Sequence, residues 1–530
     1  MTLPDPGRAA VYARKATEAL LRAGWVAPDF RAARRLRSQA PPPGDGDRVL
    51  MLSPRDWVEH VQNQAMLGHA LQLRGAHVTF ATCGGGLGIC DRANTYESPP
   101  MPCRSCSHYT RGAIAAHGFG QVRLADFGSW SDADPWDDLD TVGIDQLTDV
   151  EWNGLPLGQL VDIPVKWFLC ADDSTDDPLV GHVRRAFLRS ARSIAESVEL
   201  MLDDAAPDVV VLLSGLFLFE SIAFEICTRR GIEVVSYERA FRENTLVYAR
   251  GRAAGHYDFS EQWDKGNRPL SPSEDAELDA YLAGRRRGEA FDQFWTIGDG
   301  LEEADDRGTG RRGRLAALFT NLTWDSAVVG RDLALSSIRE WLDVVVEEFG
   351  RRPSDRLVIR VHPSETHLPG KVTRDSLDAY LRRRDLPSNV RVVGPDEQVD
   401  SYALMDAADV GLVYTSTVGL EMALGATPVI VAGETHYRGK GFTIDVESKA
   451  GLIDAIDEVL TDPQSHEPDV DLARRYAHLF FFRAPYRSVA VDEPLPGLAR
   501  ITVDRLDDLG PGRDPRLDRL CDAVLGRADF

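Results

Sequence analysis

Residues 412–433, "LVYTSTVGLEMALGATPVIVAG", run from a buried apolar strand through Thr415, Ser416 and Thr417 into an apolar helix carrying one carboxylate, Glu421. A helix start presents backbone N–H groups and the positive end of its dipole, and the hydroxyls beside it add donors, so the junction suits an anion such as phosphate. Glu421, one turn into the helix, can accept hydrogen bonds from sugar hydroxyls, and a nucleotide offers both kinds of group. The plainer alternative is that Ser416 or Thr417 caps the helix and Glu421 complements its dipole.

Two further stretches tip the reading toward a ligand. In "VIRVHPSE", His362 follows a strand expected near the 412–416 strand, and Pro363 fixes the turn beyond it. An imidazole there can donate to a phosphate oxygen, and Arg360 adds charge. "GETHYRGKGFT" is a glycine-rich polar loop after the strand ending at Ala432, in which glycines permit close backbone approach and Lys440 can meet phosphate. Asn321, Trp324 and Asp325 follow the strand "LAALFTN" and stand near the same edge, although Trp324 serves equally well as core.

Four of the seven cysteines, Cys83, Cys90, Cys103 and Cys106, crowd one stretch with the spacing C-x6-C-x12-C-x2-C. A C-x2-C pair plus two further thiols can supply a closed tetrahedral zinc shell, which would staple a loop without leaving an open position for catalysis. Disulfides or free thiols are the alternatives. Cys170, Cys227 and Cys521 read as isolated residues.

The elements that must position these residues alternate. "RVLMLSP" reads as a strand, "WVEHVQNQAMLGHALQLRG" as a helix ending at glycine and "AHVTFATC" as the next strand, making a βαβ unit. "PDVVVLLSG", "LFLFESIAFEICTRRG" and "IEVVSYERA" form a second. The alternation resumes at "LAALFTN" and continues through "SIREWLDVVVEEFG", "RLVIRVHP", "NVRVVG", "SYALMDAA", "DVGLVYTS", "VGLEMALG" and "TPVIVAG". We therefore expect residues 1–44 to form a helical extension and linker, 45–304 a Rossmann-like domain with a cysteine loop and acidic insertion, 305–490 a second such domain, and 491–530 a tail. Ligands of such halves bind at the carboxyl ends of the strands, so a cleft between the halves is expected.

With 43% hydrophobic and 27% charged residues over 530 positions, the chain can bury large cores. A net charge of −23 opposes general affinity for nucleic acid or anionic lipid, so any phosphate must be held locally. No apolar run is long enough to span a bilayer and no leader is evident, which makes cytoplasm the expected location.

The segments "FTNLTWDSAVVG", "IREWL", "VIRVHPSE", "YTSTVGLEMALGATPVIVAG" and "HYRGKGFT", with a weaker "VVSYERA", resemble the capsule polysaccharide biosynthesis glycosyltransferases, a family that includes Kdo transferases. The resemblance covers most of residues 205–445 and implies a GT-B fold of two Rossmann-like domains facing a cleft. It also implies donor binding by His362, Ser416, Thr417 and Glu421. A CMP-linked acidic sugar is what the family suggests as donor, and UDP- or GDP-linked sugars use the same type of site. The acceptor would be a polysaccharide or a lipid-linked glycan, the latter bringing the protein to the inner face of the membrane.

Glycosyl transfer requires a base for the acceptor hydroxyl as the phosphate leaves. Glu238, at the end of "IEVVSYE", is preferred because the "YER" match supports it, with a salt bridge to Arg239 or Arg242 as the plainer role. His60 and Glu59 at the start of the first helix are further choices, and Asp91 a weaker one. No catalytic metal is expected, because the helix start, His362 and Lys440 can stabilise the leaving phosphate. Asp132 and Asp134 have Asp-x-Asp spacing but sit in an acidic run that reads as a solvated loop. A nucleotide-sugar epimerase or hydrolase, and a non-catalytic partner in glycan assembly, fit the same pattern.

Overall fold

The computed structural model describes all residues except 1–28, 94–101, 129, 131–135, 137, 173–176, 289–312, 368–372 and 496–497. They divide into two compact units. The first takes the described residues of Met1–Phe168, Ser174–Gly255 and Pro485–Phe530, and the second those of Leu169–Asp173 and His256–Ala484. The division falls at Gly255/His256 rather than near 305, so residues 256–288, expected in the first domain, belong to the second unit, while the pair Asp132 and Asp134 lies outside the described residues.

In the first unit, β1 (Arg48–Leu52), β2 (His77–Thr82), β3 (Gly120–Arg123), β4 (Val209–Leu213), β5 (Glu233–Arg239) and β6 (Thr245–Arg250) build one sheet in the order β6-β5-β4-β1-β2-β3. All neighbours run parallel except β6, which returns antiparallel along β5. The sequence dictates this: β4 is "VVVLL", buried at every position, as a strand covered on both faces requires. From β1 the order steps outward to β2 and β3, then returns to place β4 on the other side of β1.

The second unit holds β7 (Leu315–Phe319), β8 (Arg356–Arg360), β9 (Val390–Val393), β10 (Val410–Val413), β11 (Val429–Val431) and β12 (Ile444–Asp445) in the order β12-β11-β10-β7-β8-β9, all parallel. Here too the order reverses beside the first strand, so β7 and β10 flank a topological switch point. In open parallel sheets the crevice beyond the strand ends at such a point is where ligands bind. Trp341, Leu342, Val345, Tyr414 and Leu412 fill the core beneath it, with the Trp341 and Tyr414 rings 5.4 Å apart.

Residues 491–530, read from the sequence as a tail, belong to the first unit. β13 (Tyr486–Arg487) pairs antiparallel with β6, and β14 (Val491–Leu495) pairs with β15 (Leu498–Ile501). Val491, Ala499, Ile501, Leu520 and Val524 join the same buried cluster as Val61 and Ala65 of the helix Val58–Gln72. Within the N-terminal extension, residues 29–37 are helical and bury Ala32, Ala33 and Leu36 in that cluster. Among the described residues no helix is long and apolar enough to cross a membrane.

Candidate functional site

The strand register of the second unit sets one row of residues beyond the sheet. Val413 is level with Phe319, and Phe319 with Arg360. Two residues further along each strand come Thr415, Asn321 and His362. Neighbouring strands lie about 4.8 Å apart, which puts His362 and Thr415 roughly 10 Å from each other across the switch point. The chain leaving β7 ties both sides: Thr320 Oγ1 accepts the His362 N–H at 3.0 Å, and Asn321 Oδ1 accepts the Thr415 N–H at 3.3 Å.

The His362 ring is oriented from its own turn. Nδ1 accepts the Ser364 N–H at 3.1 Å, which keeps the neutral ring's proton on Nε2. Burial, and then the charge of Arg360, push its pKa down to about 4. The turn is pinned in turn by buried Glu365, which accepts from the Leu377 N–H at 2.8 Å and the Ser376 hydroxyl at 2.7 Å. Arg360 is buried and donates Nη1 to the Gly394 carbonyl at 2.5 Å, so its hydrogen bond runs along the sheet.

At the opening motif the structure corrects one expectation. The helix is short, Val418–Leu424, and its first N–H groups are already engaged. Val418 N donates to Ser416 Oγ, Gly419 N to Ser416 O, and Leu420 N and Glu421 N to Thr417 O. Ser416 thus does the capping. The N–H groups of Ser416 and Thr417 themselves donate to no described residue, and Thr415 Oγ1 is buried with no described partner. Tyr437 donates its hydroxyl to the Ser416 carbonyl at 2.5 Å. That approach needs Gly419, because a Cβ there would stand 2.3 Å from the Tyr437 oxygen.

Glu421 has partners that local sequence did not suggest. Oε1 accepts Arg285 Nη2 at 3.0 Å and Oε2 accepts the Tyr402 hydroxyl at 2.6 Å, all three side chains being buried. Arg285 closes the helix Pro272–Arg286 and lies over the rings of Tyr281 and Phe481. Nothing in the run "GRRRG" singles out the arginine that does this. Lys440 stands between Gly439 and Gly441, both left-handed, and donates Nζ to Ser260 Oγ at 3.0 Å. Trp324 is core: it is buried and its Nε1 donates to Thr373 Oγ1 at 3.0 Å. Asp325 accepts the Ala327 N–H at 3.0 Å within its own loop. Pro363 sits between His362 and Ser364 in the turn just described.

In the first unit the reversal of strand order falls between β1 and β4. Beyond β1 lies a buried ion network in which Arg55 donates to Asp91 at 2.8 Å and to Glu220 at 2.5 Å. Asp91 also accepts the Leu218 N–H at 2.8 Å at the start of the helix Leu218–Arg230, so this residue is structural. Burial pushes Glu220 up to about 7 against the pull of Arg55. The His60 ring lies between Trp57 and Tyr237, at 6.1 and 5.8 Å, with Nδ1 buried and without a described partner. Nε2 is 3.7 Å from Glu59, and burial lowers the His60 pKa to about 4. Glu238 lies inside β5, paired with Val247, and its Oε1 accepts the Arg239 N–H at 2.8 Å. Arg239 forms its ion pair with Glu493, in the stretch that had read as a tail.

Cys83 follows β2, and Cys103 and Cys106 lie in the first turn of the helix Cys103–His117. All seven cysteines are free thiols. Among the described residues no group of three or more His, Cys, Asp or Glu side chains is arranged to hold a metal ion.

Residues 297–455 match the family described as capsule polysaccharide biosynthesis protein. The matched span includes the row from His362 to Thr415, together with Glu421 and Lys440, whereas His60 and Glu238 lie outside it. The match supports the reading of the chain as a glycosyltransferase of surface-glycan biosynthesis. No curated protein matches the sequence. Among solved structures the chain is similar to the KpsC beta Kdo 2,4 transferase of Thermosulfurimonas dismutans, at 16% identity over 57% of this chain and 87% of that one, TM-score 0.36. The beta Kdo 2,7 transferase of the same organism is similar at 15%, 57% and 85%, TM-score 0.33. A UDP-GlcNAc 2-epimerase from Neisseria meningitidis bound to UDP-GlcNAc is similar at 10%, 83% and 97%, TM-score 0.25. At these scores the likeness is too loose to assign chemistry.

Proposed function

We propose that this protein is a metal-independent glycosyltransferase that takes a sugar from a nucleotide-sugar donor bound on the second unit and passes it to a polysaccharide or lipid-linked glycan acceptor. The observation that carries the donor site is the pair Thr320 and Asn321, which hold His362 and Thr415 on either side of a switch point. The Nε2–H of His362 and the N–H groups of Ser416 and Thr417 are donors suited to the phosphate that leaves, with Lys440 adding charge. Glu421, clamped by Arg285 and Tyr402, keeps lone pairs with which to accept a hydroxyl of the ribose or sugar.

In the reaction the acceptor oxygen bonds to the anomeric carbon, the bond from that carbon to the phosphate oxygen breaks, and its electron pair stays on the phosphate. The acceptor's proton goes to a base, for which Glu238 is the first choice and His60 the second. The donor is a CMP-, UDP- or GDP-linked sugar, and the cytoplasmic face of the membrane is where such donors meet a lipid-linked acceptor. A structural zinc on Cys83, Cys90, Cys103 and Cys106 is a separate proposal that rests on the C-x6-C-x12-C-x2-C spacing alone, since among the described residues these thiols are not arranged as a metal shell. Elemental analysis under reducing conditions tests it, about one zinc per chain being expected for a four-thiolate shell.

Thermal denaturation with CMP, UDP, GDP and their sugars tests the donor reading, since a ligand that binds only the folded state raises the melting temperature. At least one nucleotide should do so in wild type and fail to do so in His362→Ala. No shift with any of them overturns the reading. Sugar released without an acceptor as fast as with one would point instead to a hydrolase, and a changed sugar left on its nucleotide to an epimerase.

A further inference from the structure

A hollow of about 870 Å³ in the first unit lies between the loop Gly84–Gly86 and the first turns of the helix Cys103–His117. We propose that it binds a phosphate- or diphosphate-bearing ligand. On the glycosyltransferase reading, on which this identification rests, that ligand is the anionic end of the acceptor.

The loop is built for close approach. Gly84, Gly85 and Gly86 all take left-handed φ, at 90°, 86° and 116°. Two of them are wedged: a Cβ would stand 2.8 Å from Ala125 Cβ at Gly84 and 3.1 Å from Ser107 Oγ at Gly85. At Gly86 a Cβ would meet nothing within 4 Å, so its backbone borders open space. A glycine there leaves the main chain bare to whatever fills the hollow.

The opposite wall carries the charge. Arg104, His108 and Arg111 follow one another at helical spacings of four and three residues, on one face, and all three line the hollow. Among the described residues no carboxylate lines it. Neither Arg104 nor Arg111 makes an ion pair with a described residue. Asp126, whose carboxylate feels Arg111, is held by Arg123. In a chain with 83 acidic and 60 basic side chains, cations facing one hollow with no acid among the described residues of its wall are out of step with the composition. Guanidinium groups bind phosphate bidentately, and a hollow of this size accepts more than a bare phosphate, so a sugar can follow the anionic group into it.

The test is calorimetric titration of the full chain with inorganic pyrophosphate at low salt, in wild type and in the double variant Arg104→Glu with Arg111→Glu, each also titrated with the nucleotide found to bind. Both positions are exposed, and an unchanged melting temperature confirms that the variant folds. The expected result is pyrophosphate binding weakened by about tenfold or more in the double variant with nucleotide affinity unchanged. Pyrophosphate that does not bind wild type, or binds both proteins equally, overturns the proposal. Nucleotide that binds neither protein, with pyrophosphate binding still lost in the variant, leaves the anion site standing and removes the donor reading.

Discussion

The Nδ1 atom of His362 accepts the backbone N–H of Ser364 at 3.1 Å. That one bond chooses the tautomer, and burial with Arg360 nearby keeps the ring neutral down to about pH 4. His362 is therefore a neutral Nε2–H donor throughout the physiological range. Any transition in nucleotide affinity near pH 6.5, the ordinary range of histidine and of a terminal phosphate, should therefore be the same in wild type and in His362→Gln. His362→Ala should lose about tenfold to a hundredfold in affinity, the range for a hydrogen bond to a charged acceptor. A titration step near 6.5 that is present in wild type and absent in His362→Gln, or unchanged affinity in His362→Ala, would count against the assignment.

The same physics sets the pH dependence of stability. Burial lowers His60, His69, His256 and His362 to about 4, and His117 and His436 to about 3. Between those values and 6.5 the unfolded chain binds more protons than the fold, so stability rises with pH across that window and falls as acid is added. Asp29 and Glu220, raised by burial to about 6 and about 7, act in the opposite sense but are fewer. The urea midpoint should be lower at pH 5 than at pH 7. His362→Gln should shrink the difference by the share of one proton, and a midpoint that rises on acidification would contradict the sign.

Glu421 is held by two side chains, so their removal should be unequal. Arg285→Ala leaves a buried carboxylate without its cation, at a cost of about 3–5 kcal/mol. Tyr402→Phe removes one hydrogen bond to the other oxygen and costs about 1–3 kcal/mol, since the accepting group is charged. Urea denaturation ranks them. If Tyr402→Phe proves the more damaging, the carboxylate is not carrying its charge into the core.

Much of the architecture was legible because it is local. "VVVLL" and "VGLV" are apolar runs that become buried parallel strands, and the hydroxyl triplet after β10 marks its carboxyl end. The site was legible only up to its own segment. Arg285 lies 136 residues from Glu421, and no periodicity ties them together. The free N–H groups were assigned to the helix start, whereas the turn itself consumes those of residues 418–421. Cysteine spacing shows that thiols are neighbours in sequence but not how their Sγ atoms point. The stretch 491–530 read as a tail because Pro494, Pro496, Gly497, Gly510, Pro511, Gly512 and Pro515 break its apolar residues into short pieces, whose role shows only in the core they meet around Val61 and Ala65.

Gly419 is the glycine whose replacement should be felt most at the hydroxyl junction. Adding a single methyl group at this position drives against the Tyr437 hydroxyl, which then cannot keep its bond to the Ser416 carbonyl. Gly419→Ala should destabilise the protein by about 1–3 kcal/mol, the cost of overpacking a closed core. Because Ser416 also moves, nucleotide affinity should fall with it. Tyr437→Phe in the same background separates the two effects: it shortens the ring by one oxygen, so stability should partly recover. An alanine variant as stable as wild type would mean that the Tyr437 contact is not tight.

Glu238→Gln asks whether the first unit takes part in the chemistry. The glutamine keeps the shape of the side chain and an oxygen to accept the Arg239 N–H, so the ion pair of Arg239 with Glu493 and the pairing of β5 with β6 should survive. It cannot take a proton. If Glu238 is the base, turnover with donor and acceptor should fall by about a hundredfold or more while nucleotide affinity stays unchanged. His60→Gln then supplies the contrast. Its imidazole is buried between Trp57 and Tyr237 whereas Glu238 is half-buried, so an acceptor hydroxyl reaches it less readily and its loss should cost less than that of Glu238. Full activity in Glu238→Gln together with a hundredfold loss in His60→Gln would transfer the role to the histidine, with Glu59 beside Nε2 as the group that steadies it.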